Sequence, residues 1–142
     1  MSTESPKTEG WERRFDLAST RSDIDAAVAE VLKACADLGY DEPATFAIRL
    51  SLEEALANAM MHGNAGDEQK RIHLTCSVTA DRVEMIIQDE GPGFDPGTVP
   101  DPTAEENLTI ASGRGLALIR AFMTHVDIPR PGNQLRLVFE RS

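Results

Sequence analysis

The chain has 142 residues, of which 41% are hydrophobic and 27% charged, so it can bury the core of one domain without disulfides or metals. Its 14 basic and 24 acidic side chains give a net charge of −10, which argues against a nucleic-acid-binding surface because phosphates require a basic face. No apolar run approaches the roughly 20 residues that span a membrane, and the N-terminus lacks the pattern of a signal peptide. We therefore expect a cytoplasmic protein in which Cys35 and Cys76 are reduced and buried.

The first predicted elements are a strand and a helix that follow a polar tail. Residues 1–10 are predicted to be flexible, which leaves 11–142 as the folded domain. In the segment WERRFDL apolar residues alternate with charged ones, with one arginine on the apolar side, and this alternation is typical of a strand. Apolar residues then recur at spacings of three and four between a cap at Ser19 or Thr20 and a stop at Gly39, which predicts a helix.

The remaining elements are two helices, a hairpin and a last strand. The second helix is predicted to begin at a cap, Asp41, and to end at Gly63. A β-hairpin follows over residues 72–89, where apolar residues again alternate. Residues 90–115 contain five glycines and four prolines, which predicts a long loop of the kind that is usually functional or disordered. The third helix begins at the end of this loop, and the last strand is predicted over residues 135–139.

This order of elements favours an α+β fold. A hairpin places neighbouring strands antiparallel, whereas a doubly wound parallel sheet would need strands and helices to alternate. The sequence therefore predicts a two-layer α/β sandwich in which a mixed, mostly antiparallel sheet packs against about three helices.

The second helix carries a carboxylate and a carboxamide one turn apart. Glu54 and Asn58 are four residues apart, which puts them on one helix face with about 6 Å between them. His62 follows after four more residues. An exposed helix surface explains these residues as well as the wall of a binding site does.

At the end of the hairpin, Asp89 lies on the same side of the predicted strand as the alternate apolar residues before it. A carboxylate on the core side is costly unless a hydrogen bond compensates it. Either the strand has already ended and Asp89 begins a turn with Gly91, or Asp89 is an acceptor at the floor of a pocket.

Two pairs of glycines flank the long loop, Gly91 with Gly93 and Gly113 with Gly115. Glycines before a helix allow backbone amides to approach an anion closely. Either pair alone is weak support for a site. Neither belongs to a dinucleotide fingerprint, which needs a strand opening directly into a helix, and no P-loop motif is present.

Taken in order, the segments EALANAMMHG, DEGPGF and GRGLALI resemble the N box and the two glycine boxes of the histidine-kinase-like (GHKL, Bergerat-fold) ATPases. The resemblance covers roughly residues 11–140. The short lid and small size are most similar to the bacterial anti-sigma factor serine/threonine-protein kinases. This resemblance implies the histidine-kinase-like ATPase fold, binding of ATP and Mg²⁺, and control of a sigma factor by phosphorylation of a serine on an anti-anti-sigma partner. It also implies a homodimer.

Carried over position by position, the resemblance implies roles at the phosphate end of ATP. Asn58 matches the asparagine that binds Mg²⁺, for which a carboxamide oxygen is a suitable ligand. Glu54 matches the general base that acts on the attacking serine hydroxyl or water. His62 matches a frequent basic position, where a phosphate contact and helix-end packing are both open. Three residues match those that meet the phosphates at the end of the lid: Gly113, Arg114 and Gly115.

The same resemblance implies roles at the adenine end. Asp89 matches the aspartate that accepts a hydrogen bond from the adenine amino group. Gly91 and Gly93 match glycines that let the chain pass close to the base. Asn133 stands where the broader superfamily often has a threonine near adenine.

Other functions of the same fold were weighed against the kinase. A non-catalytic module that senses ATP or ADP and sequesters a partner would not need Glu54 as a base. The catalytic domain of a sensor histidine kinase would need a phospho-accepting helical hairpin, and only ten residues precede the first predicted strand. A gyrase-like ATPase would need a longer lid and a transducer domain.

Overall fold

The computed structural model describes residues 10–91, 113–129 and 132–141. Within them lie five strands, three helices and one π-helical turn. The strands and helices are β1 (Trp11–Ala18), α1 (Arg21–Asp37), α2 (Glu42–Asn58), β2 (Arg71–Val78), β3 (Arg82–Gln88), α3 (Gly113–Phe122), β4 (His125–Asp127) and β5 (Gln134–Glu140). The predicted tail before Gly10 and most of the predicted loop, including Gly93, lie outside the described residues.

The five strands form one sheet in the order β1-β2-β3-β5-β4. Each neighbouring pair is antiparallel, and β2 and β3 form the predicted hairpin. The predicted two-layer α+β sandwich is confirmed. The described strands contain no parallel pair, so their sheet is antiparallel and not mixed.

The core lies between one face of the sheet and the helices. Alternate residues of β2 and β3 point into it, and the most deeply buried side chains include Ile72, Leu74, Met85, Ile48, Leu52 and Leu56. Cys35 and Cys76 are free and fully buried there, as predicted. Burial raises the pKa of Cys35 to about 11 because the apolar interior disfavours the thiolate.

The two long helices begin and end where their local signals indicate. The Thr20 side chain caps α1 and accepts a hydrogen bond from the Asp23 amide, and Gly39 after α1 has a φ of 88°. Asp41 caps α2 by accepting from the Ala44 amide at 3.0 Å. Ser19, the other candidate cap, is buried instead and donates to the Lys70 carbonyl.

The end of α2 differs from a regular helix. Residues Ala59–Gly63 form a π-helical turn, closed by the Asn64 amide donating to the Ala59 carbonyl at 2.8 Å. The helix therefore reaches Gly63 as predicted, but its last turn is wider than an α-turn. Side chains after Asn58 leave the α-helical phase.

Two further features depart from the sequence prediction. Strand β4 was not predicted, and β3 ends at Gln88, one residue before Asp89. None of the helices in the described ranges is long and apolar enough to cross a lipid bilayer.

Candidate functional site

Helices α2 and α3 meet at the residues predicted for the phosphate end. Glu54 and Asn58 are half-buried on α2, and the third residue of α3, Gly115, lies against them. A methyl carbon on Gly115 would be 2.7 Å from Glu54 Oε2 and 3.4 Å from Asn58 Nδ2. Only a residue without a side chain allows α3 to approach these two groups so closely.

The carboxamide of Asn58 has an unpaired atom. Its Nδ2 atom is buried and has no hydrogen-bond partner in the described part of the protein. Buried polar atoms of this kind are rare and call for an explanation, of which an absent ligand is one. Because rotation of the amide exchanges its oxygen and nitrogen, the same position suits a hard cation such as Mg²⁺. The residues present therefore fit the predicted metal and its phosphates.

The first turn of α3 lies at the same end of the site. Gly113 and Arg114 are its first two residues, and the structure describes them through their backbone. The first amides of a helix lack partners within the helix and attract anions. The phosphate contacts of residues 113–115 stay a prediction, which their position at the start of a helix allows.

His62 lies in the π-helical turn and its side chain is exposed. Although the side chain is mostly exposed, the protein around it removes part of its hydration, which lowers the pKa of His62. The nearby charge of Glu54 opposes this effect. The imidazole is therefore less often charged at neutral pH than an ordinary histidine. It can still donate a hydrogen bond to a phosphate, so both predicted roles stay open.

Asp89 is the first residue after β3 and is half-buried. Burial raises its pKa, whereas a hydrogen bond from the Gly91 amide to Oδ1 at 2.8 Å and the charge of Lys70 act in the opposite direction. The two sequence interpretations are thus compatible: Asp89 begins a turn with Gly91, and it presents a partly buried carboxylate.

Gly63 is a residue of this site that the sequence analysis treated only as a helix stop. A methyl carbon on Gly63 would overlap the Asp89 carboxylate, and one on Gly91 would overlap the Gly63 carbonyl. The end of α2 and the turn after β3 are therefore in direct backbone contact. The glycine in the HG dipeptide is required by this contact and not by a left-handed backbone, since its φ is not positive.

Two asparagines also contact the turn, and only one of them had been noted. Asn64 Oδ1 accepts a hydrogen bond from the Glu90 amide at 2.8 Å, and Asn133 Nδ2 donates to the Gly91 carbonyl at 3.2 Å. The sequence signal for Asn64 is weak, because it follows the helix at a spacing that places it on no common helix face with Glu54 and Asn58.

Comparison with known proteins finds a matching family model and similar relatives. A family model described as a histidine kinase-like ATPase domain matches residues 17–139. The anti-sigma F factor of Oceanobacillus iheyensis is 30% identical over 101 residues, which cover 67% of this chain and 68% of that protein. The anti-sigma F factor of Clostridium perfringens is 27% identical over 84 residues, covering 57% of this chain and 59% of that protein. The chain thus spans less than two thirds of the Clostridium protein.

A solved structure shares the fold. The crystal structure of the RsbU and RsbW domains of Rv1364c from Mycobacterium tuberculosis matches with a TM-score of 0.62 and 18% identity. The match covers 91% of this chain and 31% of that chain. At this identity the likeness concerns the fold alone, and it includes nearly all of the present chain.

Proposed function

The chain belongs to the histidine kinase-like ATPase family, and from this premise we propose that it is an ATP-binding anti-sigma factor with Mg²⁺-dependent serine kinase activity. Its membership confirms the resemblance inferred from the three sequence segments. The anti-sigma role is supported by the similarity to the anti-sigma F factors. The proposed substrate is a serine hydroxyl on an anti-anti-sigma partner. Phosphorylation of that serine would control whether the sigma factor is held inactive.

The observation that carries the proposal is the meeting of Glu54, Asn58 and Gly115. A carboxylate and an unpaired carboxamide face the N-terminal turn of α3, where anions are favoured. A pure binding module would need the amide and the helix terminus, but not a carboxylate beside them. The arrangement therefore supports phosphate transfer over binding alone.

Each residue has a defined task in the proposed reaction. Asp89 accepts a hydrogen bond from the adenine amino group, and the Gly91 amide, which donates to Asp89 Oδ1, helps to hold that carboxylate. Asn58 holds Mg²⁺, which when bound neutralises phosphate charge. Glu54 accepts the proton of the attacking serine hydroxyl, and the first amides of α3 hold the phosphates in line.

The proposal extends to assembly and location. The domain would comprise residues 11–142 after a flexible tail, and it would act in the cytoplasm with its sigma factor. Strand β1 is an edge of the sheet and pairs only with β2 among the described strands. An exposed strand edge of eight residues can pair with a second copy, and we propose a homodimer on this basis.

The decisive experiment compares two neighbouring glutamates. The purified protein is incubated with ATP labelled in its γ-phosphate, Mg²⁺ and a candidate anti-anti-sigma protein, and serine phosphorylation is measured. We expect Glu54→Gln to lower transfer by about 100-fold or more, because the base is lost. ATP affinity measured by calorimetry should change by less than about threefold.

Glu53→Gln is the matched control. It removes the same charge one residue round the helix, away from Gly115, and should retain transfer within about threefold of the unchanged protein. Equal transfer by the Glu54 variant would remove Glu54 as the base. ATP binding and partner binding without any transfer by the unchanged protein would favour the sequestering module instead.

A further inference from the structure

The turn that carries Asp89 is held from two sides by asparagine side chains. Its backbone groups from Asp89 to Gly91 find partners on two separate segments, which follow α2 and precede β5. This double attachment fixes the backbone that carries the carboxylate proposed to contact adenine.

Asn64 provides the first attachment and is fully buried. Its Oδ1 accepts from the Glu90 amide at 2.8 Å, while its Nδ2 donates to Ser19 Oγ at 2.8 Å and to the Arg71 carbonyl at 3.0 Å. The carboxamide thus connects the end of β3 with the β1–α1 junction and the start of β2. Because Asn64 is itself fully buried and its carboxamide has three partners, the Glu90 amide has little freedom to shift.

Asn133 provides the second attachment. Its backbone carbonyl accepts from the Asp89 amide at 3.0 Å. Its Nδ2 donates to the Gly91 carbonyl at 3.2 Å and, at a longer 3.4 Å, to the Asp89 carbonyl. Asn133 therefore contacts both ends of the turn.

We propose that Asn64 and Asn133 are positioning residues that make the site select a purine with a 6-amino group over one with a 6-oxo group. The inference rests on the proposed ATP site. A carboxylate accepts a hydrogen bond from an amino group but opposes the carbonyl oxygen of a 6-oxo purine. This repulsion discriminates between the two purines only if the carboxylate cannot move away from the base. The two asparagines prevent that movement because they hold the backbone of the turn.

The test measures the preference for ATP over inosine triphosphate, which carries a 6-oxo group on the same ribose and phosphates. We expect Asn64→Ala and Asn133→Ala each to lower the ratio of the two affinities by about tenfold. ATP binding should weaken, whereas binding of inosine triphosphate should stay equal or improve. Calorimetry with both nucleotides and Mg²⁺ gives the ratio directly.

Ser19→Ala is the matched control for Asn64. It removes one partner of the Asn64 amide and the bond from Ser19 to the Lys70 carbonyl, but leaves the bond to Glu90. We expect a lower melting temperature with a ratio unchanged within about twofold. Gln134→Ala is the control for Asn133, since it removes the same functional group from the next residue, the first of β5.

The outcomes separate this inference from the proposed function. If the unchanged protein prefers ATP and both folded variants keep its ratio, the inference is wrong and the proposed function stands. If Asn64→Ala does not fold, Asn133→Ala decides alone, because Asn133 is only half-buried. If the unchanged protein binds neither nucleotide, both the proposed function and the inference fail.

Discussion

At the scale of single residues, two physical classes of glycine occur in the described part of the chain. Gly39, Gly66 and Gly132 have positive φ angles and serve the backbone. Gly63, Gly91 and Gly115 at the candidate site have no positive φ; there the missing side chain makes room for a neighbouring group. The two classes look the same in a sequence, which is why Gly63 was interpreted as a helix stop.

Gly115→Ala tests whether a glycine at the candidate site is needed for the space that it leaves to its neighbours. The added methyl carbon would lie 2.7 Å from Glu54 Oε2, so the carboxylate or the start of α3 must move. We expect phosphate transfer to fall by about tenfold or more, while the stability is unchanged or rises because alanine favours a helix by about 1 kcal/mol over glycine. Transfer assays and urea denaturation measure the two effects.

Gly66→Ala is the opposite control for this experiment. Gly66 has a φ of 73° and open space around it, so alanine there strains the backbone but contacts nothing. We expect a loss of about 1 kcal/mol in the free energy of unfolding and no change in transfer. Unchanged transfer in both variants would show that Gly115 does not constrain Glu54.

Asp89 couples stability to pH in a direction set by its raised pKa. The folded protein holds a proton on Asp89 more tightly than the unfolded chain does, so protonation favours folding. The contribution is fully present below the ordinary carboxyl pKa and is lost as pH rises through the raised value. Ionisation of the half-buried Asp89 carboxylate therefore costs stability.

Asp89→Asn should consequently separate stability from binding. Without nucleotide we expect the variant to melt at the same or a higher temperature at neutral pH, and this difference should shrink toward about pH 4. ATP affinity should fall by about tenfold or more. Thermal melts across this pH range and calorimetry provide the test; a less stable variant with full ATP affinity would contradict it.

At the scale of elements, the sequence predicts what local chemistry determines. The caps at Thr20 and Asp41 and the stop at Gly39 were found because each acts within a few residues. Strand β4 was missed because three residues carry no recognisable alternation, and its conformation depends on pairing with β5. Glu54 and Asn58 could be paired from the sequence because both lie in the regular α-helix, where a spacing of four residues means one face. That rule no longer applies in the π-helical turn, which begins at Ala59.

The same reasoning explains which site residues were missed. Gly63 and Asn64 lie within and just after a turn whose wider winding no periodic pattern reveals. Their contacts with the segment after β3 are made between residues about 26 positions apart in the chain. Only the folded sheet brings those positions together, so the sequence pointed to Asp89, Gly91 and Asn133 but not to Gly63 and Asn64.

Ser51→Ala is an element-level prediction for α2. The Ser51 hydroxyl is buried and has no hydrogen-bond partner among the described residues. Its removal should raise the free energy of unfolding by about 1 kcal/mol, because an unpaired buried hydroxyl is costly and alanine favours a helix. Ser77→Ala on β2 is the control. A decrease in stability, measured by urea denaturation, would contradict this expectation.

At the scale of the whole molecule, Arg141 makes hydrogen bonds and a ring contact with segments that are distant in the chain. Its guanidinium donates to the carbonyls of Gly39 after α1 and of Ala80 in the hairpin turn, the latter at 2.6 Å. It also lies 4.2 Å from the centre of the Tyr40 ring. The last described residue therefore connects the helical layer with the sheet.

Arg141→Ala should lower the free energy of unfolding by about 1 to 2 kcal/mol, because several contacts are lost together. Arg82→Ala is a suitable control: its ion pair with Glu140 is long, at 4.0 Å, and exposed, so we expect less than about 0.5 kcal/mol. Chemical denaturation measures both. Equal effects of the two substitutions would show that Arg141 acts only as a surface charge.

The π-helical turn at Ala59–Gly63 holds one residue more than regular α-winding would place in the same length of helix. Its five residues occupy nearly the rotation and rise of four α-helical residues, about 400° and about 6 Å. Deletion of one residue within the turn would therefore let the helix return to α-winding with Gly63 still close to Asp89. Deletion of one residue earlier in α2, with the turn kept, would instead rotate every later position by about 100° and displace it by about 1.5 Å, so that Gly63 would no longer lie opposite Asp89.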